Sequence, residues 1–309
     1  MLSGQGSQYY HMGKELYLKN AVFRHWMSRL NDLIFQEFGI LIIDQIYNPT
    51  SNRTDRFDNI SYTHPAIFMI EYSLAQMLIE SGIEPDFILG ASLGEVTAVA
   101  IAGALSLDKS LECIFKQVEL LVNLCQSGGM MAIIHHADLY DECAVFINSE
   151  LAAYNYPAHF VISGAREKIS EVADYLKSKG IFYYILPVSY GFHSSNIDPI
   201  KDQYMECLNR CSFKKPNIPI ISSSLSSRVQ DISPEYFWNI ARDPIFFQKT
   251  ITKLEEICEF DYIDLGPTGT LANFVKKNLS HESLSQVYDV LTPFGQDIRN
   301  FEKIKSIFY

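Results

Sequence analysis

The chain has 309 residues, of which 48% are hydrophobic and 20% are charged, so it is long enough to bury a substantial core. This composition excludes a disordered chain, a collagen-like repeat and a long coiled coil. The formal net charge of −11, from 36 acidic and 25 basic residues, would repel nucleic acid and anionic membranes at long range. We therefore expect neither nucleic acid nor a membrane as a partner.

The cysteines and histidines form no recognisable metal pattern. Six cysteines and eight histidines are scattered along the chain without a C-x-x-C pair. This favours reduced thiols, a cytoplasmic location, and no metal or cofactor, and no signal peptide opens the chain. Residues 87–107 are apolar over the length of a membrane span, but Glu95 and three glycines within them favour a buried strand, turn and helix.

The N-terminal part is predicted to be mainly helical. A glycine-rich loop at residues 4–7 follows only Met1 and Leu2, so the strand expected before it is either truncated or upstream of this numbering. Apolar periodicity and breaker residues predict helices over 12–17, 21–38 and 66–80, a buried strand over 85–89 and a helix over 93–105. Strand, sharp turn and buried helix in succession predict a parallel sheet covered on both faces.

A different pattern begins at Gly128-Gly129 and ends at Pro187. It predicts strands over 130–134, 151–154, 160–163 and 182–186, with helices over 139–147 and 168–179. The order βαββαβ is that of the ferredoxin-like unit. We therefore expect residues 128–187 to form an inserted small subdomain, and residues 1–127 and 188–309 to form one large α/β subdomain.

The chain then returns to the large subdomain. Helices are predicted over 199–211, 234–240 and 244–257, with apolar runs or strands over 218–222 and 262–265. The last strand ends at the turn Gly266-Pro267. These elements supply the other half of the larger core.

The strongest local motif is Gly90-Ala91-Ser92-Leu93-Gly94, a G-x-S-x-G turn between a predicted strand and a predicted helix. The glycines permit a turn that is too tight for side chains, and the turn raises the serine hydroxyl above the sheet. The helix directs its free N–H groups at the serine, which favours the negative oxygen that develops in acyl transfer. Ser92 is therefore a candidate nucleophile, and the alternative is a structural serine in a turn.

A nucleophilic serine needs a general base, and His193 is the best candidate. It ends the segment VSYGFH, where the chain leaves the small subdomain and a cleft is expected. The alternative for any single histidine is a structural role. The loop GQGSQ at residues 4–8 lacks the spacing of a phosphate-binding loop, so a backbone N–H donor at the reaction centre is the better interpretation.

Six short motifs follow one another along nearly the whole chain. They are GQGSQ, GASLGE, Ala102-Gly103, the segment 155–164, VSYGFH and Leu265-Gly266-Pro267. Their order and spacing resemble the malonyl-CoA:acyl-carrier-protein transacylase family. The resemblance implies an α/β-hydrolase-like large subdomain with a parallel sheet and an inserted ferredoxin-like small one, in agreement with the insertion predicted above.

The resemblance also implies a ping-pong acyl transfer. Ser92 would carry the acyl group as an ester, His193 would act as base, and the backbone N–H groups of Gln5 and Leu93 would form the oxyanion hole. The family orients its histidine through a backbone carbonyl, so a Ser-His dyad is expected. The acyl donor would be the 4'-phosphopantetheine arm of an acyl carrier protein, or acyl-CoA, and we expect a monomer.

The chain departs from the family at the acyl pocket. Malonyl-specific members have an arginine that clamps the free carboxylate where this chain has Gln117, and Lys116 beside it would point about 100° away around the helix. Ala91 replaces the usual histidine and His64 the usual glutamine. Losing the clamp would cost a buried malonyl carboxylate on the order of 2 to 5 kcal/mol. We expect the acyl pocket to be lined by Gln117, His64, Ala91, Tyr190 and Phe192.

A neutral residue at the arginine position resembles a family branch of acyl hydrolases from polyketide assembly lines with free-standing acyltransferases. The leading hypothesis is an enzyme that removes acetyl and similar stalled, non-carboxylated acyl groups from carrier-protein thioesters. The alternatives are a transferase that loads malonyl or another acyl group, and a carrier-binding module without turnover. Lys276-Lys277 and Lys214-Lys215 are candidate contacts for an acidic carrier protein.

Overall fold

A computed structural model describes residues 1–308 and shows the predicted α/β fold class. The α-helices of these residues are α1 (Lys14–Lys19), α2 (Ala21–Phe38), α3 (Ile42–Ile46), α4 (Ile60–Glu80), α5 (Leu93–Ile101), α6 (Leu107–Leu124), α7 (Asp138–Glu142), α8 (Arg166–Ser178), α9 (Lys201–Leu208), α10 (Pro234–Arg242), α11 (Phe247–Glu255), α12 (Thr270–Asn278) and α13 (Asp297–Phe308). Short 3-10 helices cover Ala144–Phe146 and Ser195–Ile200. The strands are β1 (Ile88–Gly90), β2 (Gly128–Ile133), β3 (Glu150–Tyr156), β4 (His159–Ala165), β5 (Tyr183–Ile185), β6 (Ile220–Ser222), β7 (Ser227–Arg228), β8 (Asp261–Asp264) and β9 (Gln286–Asp289).

Two parallel strand pairs lie in the larger part of the fold. Strand β1 pairs in parallel with β6, which also pairs antiparallel with β7, and β8 pairs in parallel with β9. Helices α4 and α5 contact each other, and α5 also packs against β1. Strands β1 and β6 are almost wholly apolar and buried, because a parallel sheet that is covered by helices has no face in water.

Met1 and Leu2 join these two groups of strands. The Leu2 N–H donates to the Leu89 carbonyl at 2.9 Å, and the Leu2 carbonyl accepts from Ala91 N–H at 3.0 Å. On the other side, the Met1 carbonyl accepts from Leu265 N–H at 3.0 Å. Met1 and Leu2 therefore occupy the position of the strand expected before the glycine-rich loop.

The segment 128–185 contains a separate antiparallel sheet in the order β3-β4-β2-β5. This is the strand order of the ferredoxin-like unit, reached here by the predicted βαββαβ sequence. Its own core includes Met131, Ile133, Phe160 and Ile162, which pack in one cluster with residues of α8. The subdomain boundaries at residues 127/128 and 187/188 stay a prediction.

Three helices differ from their predicted bounds for identifiable reasons. Helix α7, in the segment that contains the small sheet, ends at Glu142 rather than 147. It ends there because Cys143 has an extended backbone (φ −116°, ψ 116°) and only a 3-10 turn follows. Helix α5 ends at Ile101 rather than 105, because Gly103 adopts a left-handed conformation (φ 70°). Helix α4 begins six residues before the predicted start, because the Asn59 side chain accepts a hydrogen bond from Ser61 N–H and caps it.

Candidate active site

Ser92 lies in the tight turn between β1 and α5, with φ 55° and ψ −126°. The two glycines around it are required by close approach. A Cβ at Gly90 would lie 2.6 Å from the Glu95 Cα, and a Cβ at Gly94 would lie 2.1 Å from the Leu2 carbonyl oxygen. Because backbone atoms stand in both places, no larger residue fits, and the turn holds Ser92 in a strained conformation of the kind found at functional sites.

Glu95 anchors the first turn of α5. Its fully buried carboxylate accepts hydrogen bonds from the Ser223 hydroxyl, Ser224 N–H and the Tyr236 hydroxyl, at 3.2, 3.2 and 2.7 Å. Burial raises the pKa of this carboxyl above its ordinary value. Glu95 therefore ties the serine turn to the segment after β6 and to α10. In the sequence it is a lone charge in an apolar run and the last residue of the motif GASLGE.

His193 lies directly beside the serine. Its Nε2 is 2.9 Å from the Ser92 Oγ, and its Nδ1 is 2.7 Å from the backbone carbonyl oxygen of Asp243. Since a carbonyl only accepts, Nδ1 carries the proton and donates to it, and Nε2 is free to accept the hydrogen bond that Ser92 donates. The predicted orientation of the histidine by a backbone carbonyl thus has its counterpart in Asp243.

The environment of His193 keeps its ring neutral. The residue is 2% exposed, and burial lowers the pKa of the imidazole to about 4. A neutral imidazole with a free Nε2 can take the serine proton at physiological pH. The geometry therefore provides a base for Ser92 without a third, acidic member.

The loop at residues 4–8 packs against the serine. A Cβ at Gly4 would lie 2.8 Å from the Ser92 Cβ and 3.3 Å from its Oγ, so only glycine allows this approach. Gln5 and Leu93, whose N–H groups are the predicted oxyanion donors, both line the cavity that contains Ser92. The Gln5 side chain donates to the Thr63 hydroxyl at 2.9 Å.

Glu71 on α4 holds the start of the same loop. Its carboxylate oxygen Oε1 accepts from Ser3 N–H at 2.6 Å and from the Ser3 hydroxyl at 2.8 Å. Glu71 is completely buried, and this burial raises its pKa to about 8. No local pattern predicts this contact, because 68 residues separate the partners.

Ser92 and His193 open into a cavity of about 350 Å³. Gln117, His64, Ala91 and Phe192 line it, as predicted for the acyl pocket. Lysine, arginine, aspartate and glutamate are absent from its lining within residues 1–308. The lining of the cavity next to the serine is therefore uncharged.

Tyr190, a predicted pocket residue, and Lys116, the residue beside Gln117, are both absent from the cavity lining. Tyr190 packs against the large hydrophobic core and is not among the residues that line the cavity, so its place in the acyl pocket stays a prediction. Lys116 forms a surface ion pair with Glu119 at 3.0 Å, consistent with the predicted rotation of its side chain away from Gln117. A lysine therefore does not substitute for the arginine clamp.

The small sheet contributes two polar side chains that sequence reasoning did not assign to the site. Asn155 and His159 line the cavity, and the Asn155 amide donates to the His159 Nδ1 at 3.1 Å. Burial lowers the pKa of His159 to about 4, so this ring is neutral. The family-like segment 155–164 was the signal that could have identified both residues.

In the part of the chain that the structure describes, no cluster of three or more histidine, cysteine, aspartate or glutamate side chains could hold a metal ion. None of the helices within residues 1–308 has the length and apolar character needed to cross a membrane.

A serine in a strained turn after a strand, a neutral histidine within hydrogen-bond distance and an adjacent glycine loop form the arrangement of serine acyl-transfer enzymes. The acyl transferase domain family matches residues 1–307 of this chain. This protein therefore belongs to that family and is an enzyme, in agreement with the resemblance found in the sequence.

Its relatives include two similar curated proteins. The polyketide biosynthesis acyltransferase homolog PksD of Bacillus subtilis is 44% identical over 306 residues, which cover 99% of this chain and 94% of PksD. The homolog BaeD of Bacillus velezensis is 42% identical, with 99% and 95% of the two chains covered. Both relatives thus match this chain over almost their whole length.

Solved structures share the fold. A loading acyltransferase from the avermectin modular polyketide synthase aligns with a TM-score of 0.89 at 22% identity, covering 99% of this chain and 98% of its own. A Streptococcus pneumoniae protein described as MCAT aligns with a TM-score of 0.81 at 24% identity, with 99% and 98% covered. At such identities the likeness establishes the fold alone.

Proposed function

We propose that this protein is an acyl hydrolase of polyketide biosynthesis that removes non-carboxylated acyl groups, such as acetyl, from acyl-carrier-protein thioesters. The uncharged lining of the cavity carries this proposal, because Gln117 stands at the position where malonyl-specific relatives have an arginine. The names of the relatives from the two Bacillus species support the polyketide context.

The first half-reaction follows from the Ser92–His193 geometry. His193 Nε2 takes the Ser92 hydroxyl proton while Oγ attacks the thioester carbonyl carbon. The N–H groups of Leu93 and Gln5 stabilise the oxyanion of the tetrahedral intermediate, aided by the positive end of α5. As the intermediate collapses, the carbon–sulfur bond breaks, His193 returns the proton to the leaving thiolate, and the acyl group remains as an ester on Ser92.

The second half-reaction releases the acyl group. His193, neutral again, removes a proton from a water molecule that attacks the ester, and then protonates the Ser92 oxygen as the carboxylic acid leaves. A thiol acceptor would use the same steps and give acyl transfer. The Nδ1–H bond to Asp243 keeps the imidazole in the correct tautomer throughout, and stabilises the imidazolium that forms in each half-reaction.

The cavity selects against malonyl on electrostatic grounds. A carboxylate transferred from water into this uncharged pocket loses hydration without gaining an ion pair, and a neutral amide cannot form the charge-assisted pair of an arginine. This corresponds to about 2 to 5 kcal/mol of lost binding. An acetyl group has no such penalty.

The carrier protein would approach on the side of α12. This helix lines the cavity through Thr270, Leu271 and Phe274, and the exposed Lys276 and Lys277 lie in its last turn. In contrast, the Lys214 backbone bonds to Ala104, beyond the end of α5 that is opposite to Ser92. We therefore assign contact with an acidic carrier to the first lysine pair and not to Lys214-Lys215.

The test is turnover of matched carrier proteins. Purified enzyme is incubated with acetyl-carrier and malonyl-carrier protein, and mass spectrometry follows loss of each acyl group and its appearance on Ser92. We expect free acetate to form at least about 30-fold faster than free malonate. Faster loss of malonyl, or acyl groups recovered only on an added thiol acceptor, would show a loading transferase instead. The Ser92→Ala variant controls for spontaneous thioester loss.

A further inference from the structure

One wall of the acyl cavity contains buried polar groups that the protein does not satisfy. His64 on α4 is 2% exposed, lines the cavity and stacks on the Phe192 ring with centroids 5.4 Å apart. Its Nδ1 is fully buried and has no hydrogen-bond partner within residues 1–308. Buried polar groups are usually paired, so an unmet histidine beside the nucleophile needs an explanation.

The remaining groups of this wall lie close by. The Gln5 Oε1 is also buried without a partner, while the Nε2 of the same amide bonds to Thr63, the residue before His64. Gln117 on α6 is 8% exposed and lines the same cavity, and α6 packs against α4. We call His64, Gln5 and Gln117 the polar wall.

The polar wall presents neutral donors and acceptors. Burial lowers the pKa of His64 to about 3, so its ring is uncharged and has one N–H donor. An unmet lone pair costs less than an unmet N–H, which places the proton on Nε2 and leaves Nδ1 as the bare acceptor. His64 therefore offers a donor to the cavity and the Gln117 amide offers both a donor and an acceptor, whereas His64 Nδ1 and Gln5 Oε1 are fully buried behind the cavity surface.

These donors and acceptors favour one kind of functional group on the ligand. A hydroxyl both donates and accepts, so it can accept from the His64 Nε2–H and donate to the Gln117 amide oxygen at once. A carboxylate accepts only and finds no cation on this wall, and an alkyl group leaves the His64 N–H and the Gln117 amide unpaired. Because Gln117 stands where family members hold the malonyl carboxylate, which is carbon 3 of that acyl group, the matching hydroxyl is on carbon 3.

We propose that the polar wall selects acyl groups with a hydroxyl on carbon 3, so that 3-hydroxyacyl thioesters are preferred over alkyl-branched ones of the same shape. This rests on the proposed acyl-ester chemistry of Ser92. It extends the substrate class from simple acyl groups to partly processed polyketide intermediates, and assigns His64 as a specificity-determining residue.

The experiment compares two thioesters that differ in one group. N-acetylcysteamine thioesters of 3-hydroxybutyrate and 3-methylbutyrate have nearly the same shape, with a hydroxyl in one replaced by a methyl in the other. Release of the free acids gives kcat/KM, and intact mass of the enzyme gives acyl occupancy of Ser92. We expect the hydroxy substrate to be favoured about 10- to 100-fold in kcat/KM, because the methyl analogue leaves buried polar groups unpaired.

Two variants assign this preference to the wall. His64→Phe keeps an aromatic ring against Phe192 and should bring the ratio close to one, mainly by lowering kcat/KM for the hydroxy substrate. Gln117→Met, which keeps the length of the side chain, should reduce the ratio partially. His281→Phe changes an exposed histidine in the same way and should leave the ratio unchanged.

The outcomes separate this inference from the proposed function. Equal kcat/KM for the two thioesters in the wild-type protein, with rapid release of both acids, would overturn the hydroxyl preference and leave the hydrolase intact. Acylation of Ser92 without release would reject hydrolysis, while the occupancy of Ser92 by the two acyl groups would still decide the preference. A ratio that persists in His64→Phe would exclude His64 as its source.

Discussion

The two walls of the cavity differ in how their polar atoms are satisfied. On the wall of Ser92, both ring nitrogens of His193 have partners, and behind this wall Glu95 accepts three hydrogen bonds. On the polar wall, His64 Nδ1 and Gln5 Oε1 have none. Under the proposed function, the groups that do the chemistry are therefore paired before substrate arrives, whereas the polar wall keeps a donor and acceptors that the substrate would pair.

Removing the nucleophile should have the largest effect, and it should act on the chemistry alone. The Ser92→Ala variant keeps the turn, because the serine side chain contributes only its bond to His193. We expect kcat to fall about 10,000-fold or more, with the polar wall unchanged. Hydrolysis of acetyl-carrier protein measures this loss, and a fluorophosphonate probe that labels only wild type would identify the residue. Retained turnover would mean that another group attacks the thioester.

Substituting Gln117 changes the polar wall and leaves Ser92 and His193 unchanged. Gln117→Arg should restore a charge-assisted pair to the malonyl carboxylate and raise malonyl occupancy of Ser92 about 30-fold or more. Intact mass after a short exposure to malonyl-carrier protein measures this gain. Gln117→Lys is the matched control, since it adds a charge without the two-pronged geometry and should give a smaller gain. Unchanged malonyl labelling in the arginine variant would contradict the clamp argument.

The difference between the walls also marks how far sequence reasoning reaches. Ser92 was singled out by the G-x-S-x-G motif between a predicted strand and helix, and His193 by its place at the end of the segment VSYGFH. The structure brings the two side chains within 2.9 Å of each other. Helix α2 was predicted with its observed bounds, because Asn20 caps its start and Gly39 ends it in a left-handed conformation. Local sequence signals were therefore sufficient to place the Ser92 turn and to set the bounds of helix α2.

Long-range contacts left no such signal. The Asp243 carbonyl and Glu71 reach the site only through tertiary packing, over 50 and 68 residues of sequence. A backbone carbonyl has no residue identity to detect. Likewise, the direction of the Tyr190 side chain in an irregular loop depends on packing and not on its neighbours in the sequence.

The pH dependence of catalysis tests how thoroughly the wall of Ser92 is desolvated. Burial lowers the pKa of His193 to about 4 from its ordinary 6.5, so the ring stays neutral at mildly acidic pH. We expect kcat/KM for acetyl thioester to remain flat from pH 7 to about 5 and to fall about tenfold per unit only below about 4. A stopped-assay profile measures this. An acidic limb near 6.5 would show that His193 is solvated in the working enzyme.

We expect the smallest effect from Glu71, whose carboxylate accepts two hydrogen bonds from Ser3 at the start of the glycine-rich loop. Its pKa is raised to about 8, so the folded state keeps this carboxyl protonated while the unfolded state ionises near 4.5. Unfolding between these values releases a proton, and the free energy of unfolding therefore falls as pH rises, by up to about 1.4 kcal/mol per unit. Glu71→Gln should flatten this slope, because the amide oxygen can still accept from Ser3 but nothing ionises.

Urea unfolding at pH 5, 6, 7 and 8 measures the slope for Glu71→Gln and wild type. The glutamine variant should gain stability relative to wild type as pH rises, and its hydrolysis rate should remain within a few-fold. Glu71→Leu removes the acceptor and should lose stability and rate at every pH, because Ser3 N–H is then buried without a partner. Glu302→Gln, an exposed change on α13, controls for loss of one charge. Parallel slopes in all four proteins would show that Glu71 is already ionised in the folded state, and that the loop rests on a charged carboxylate.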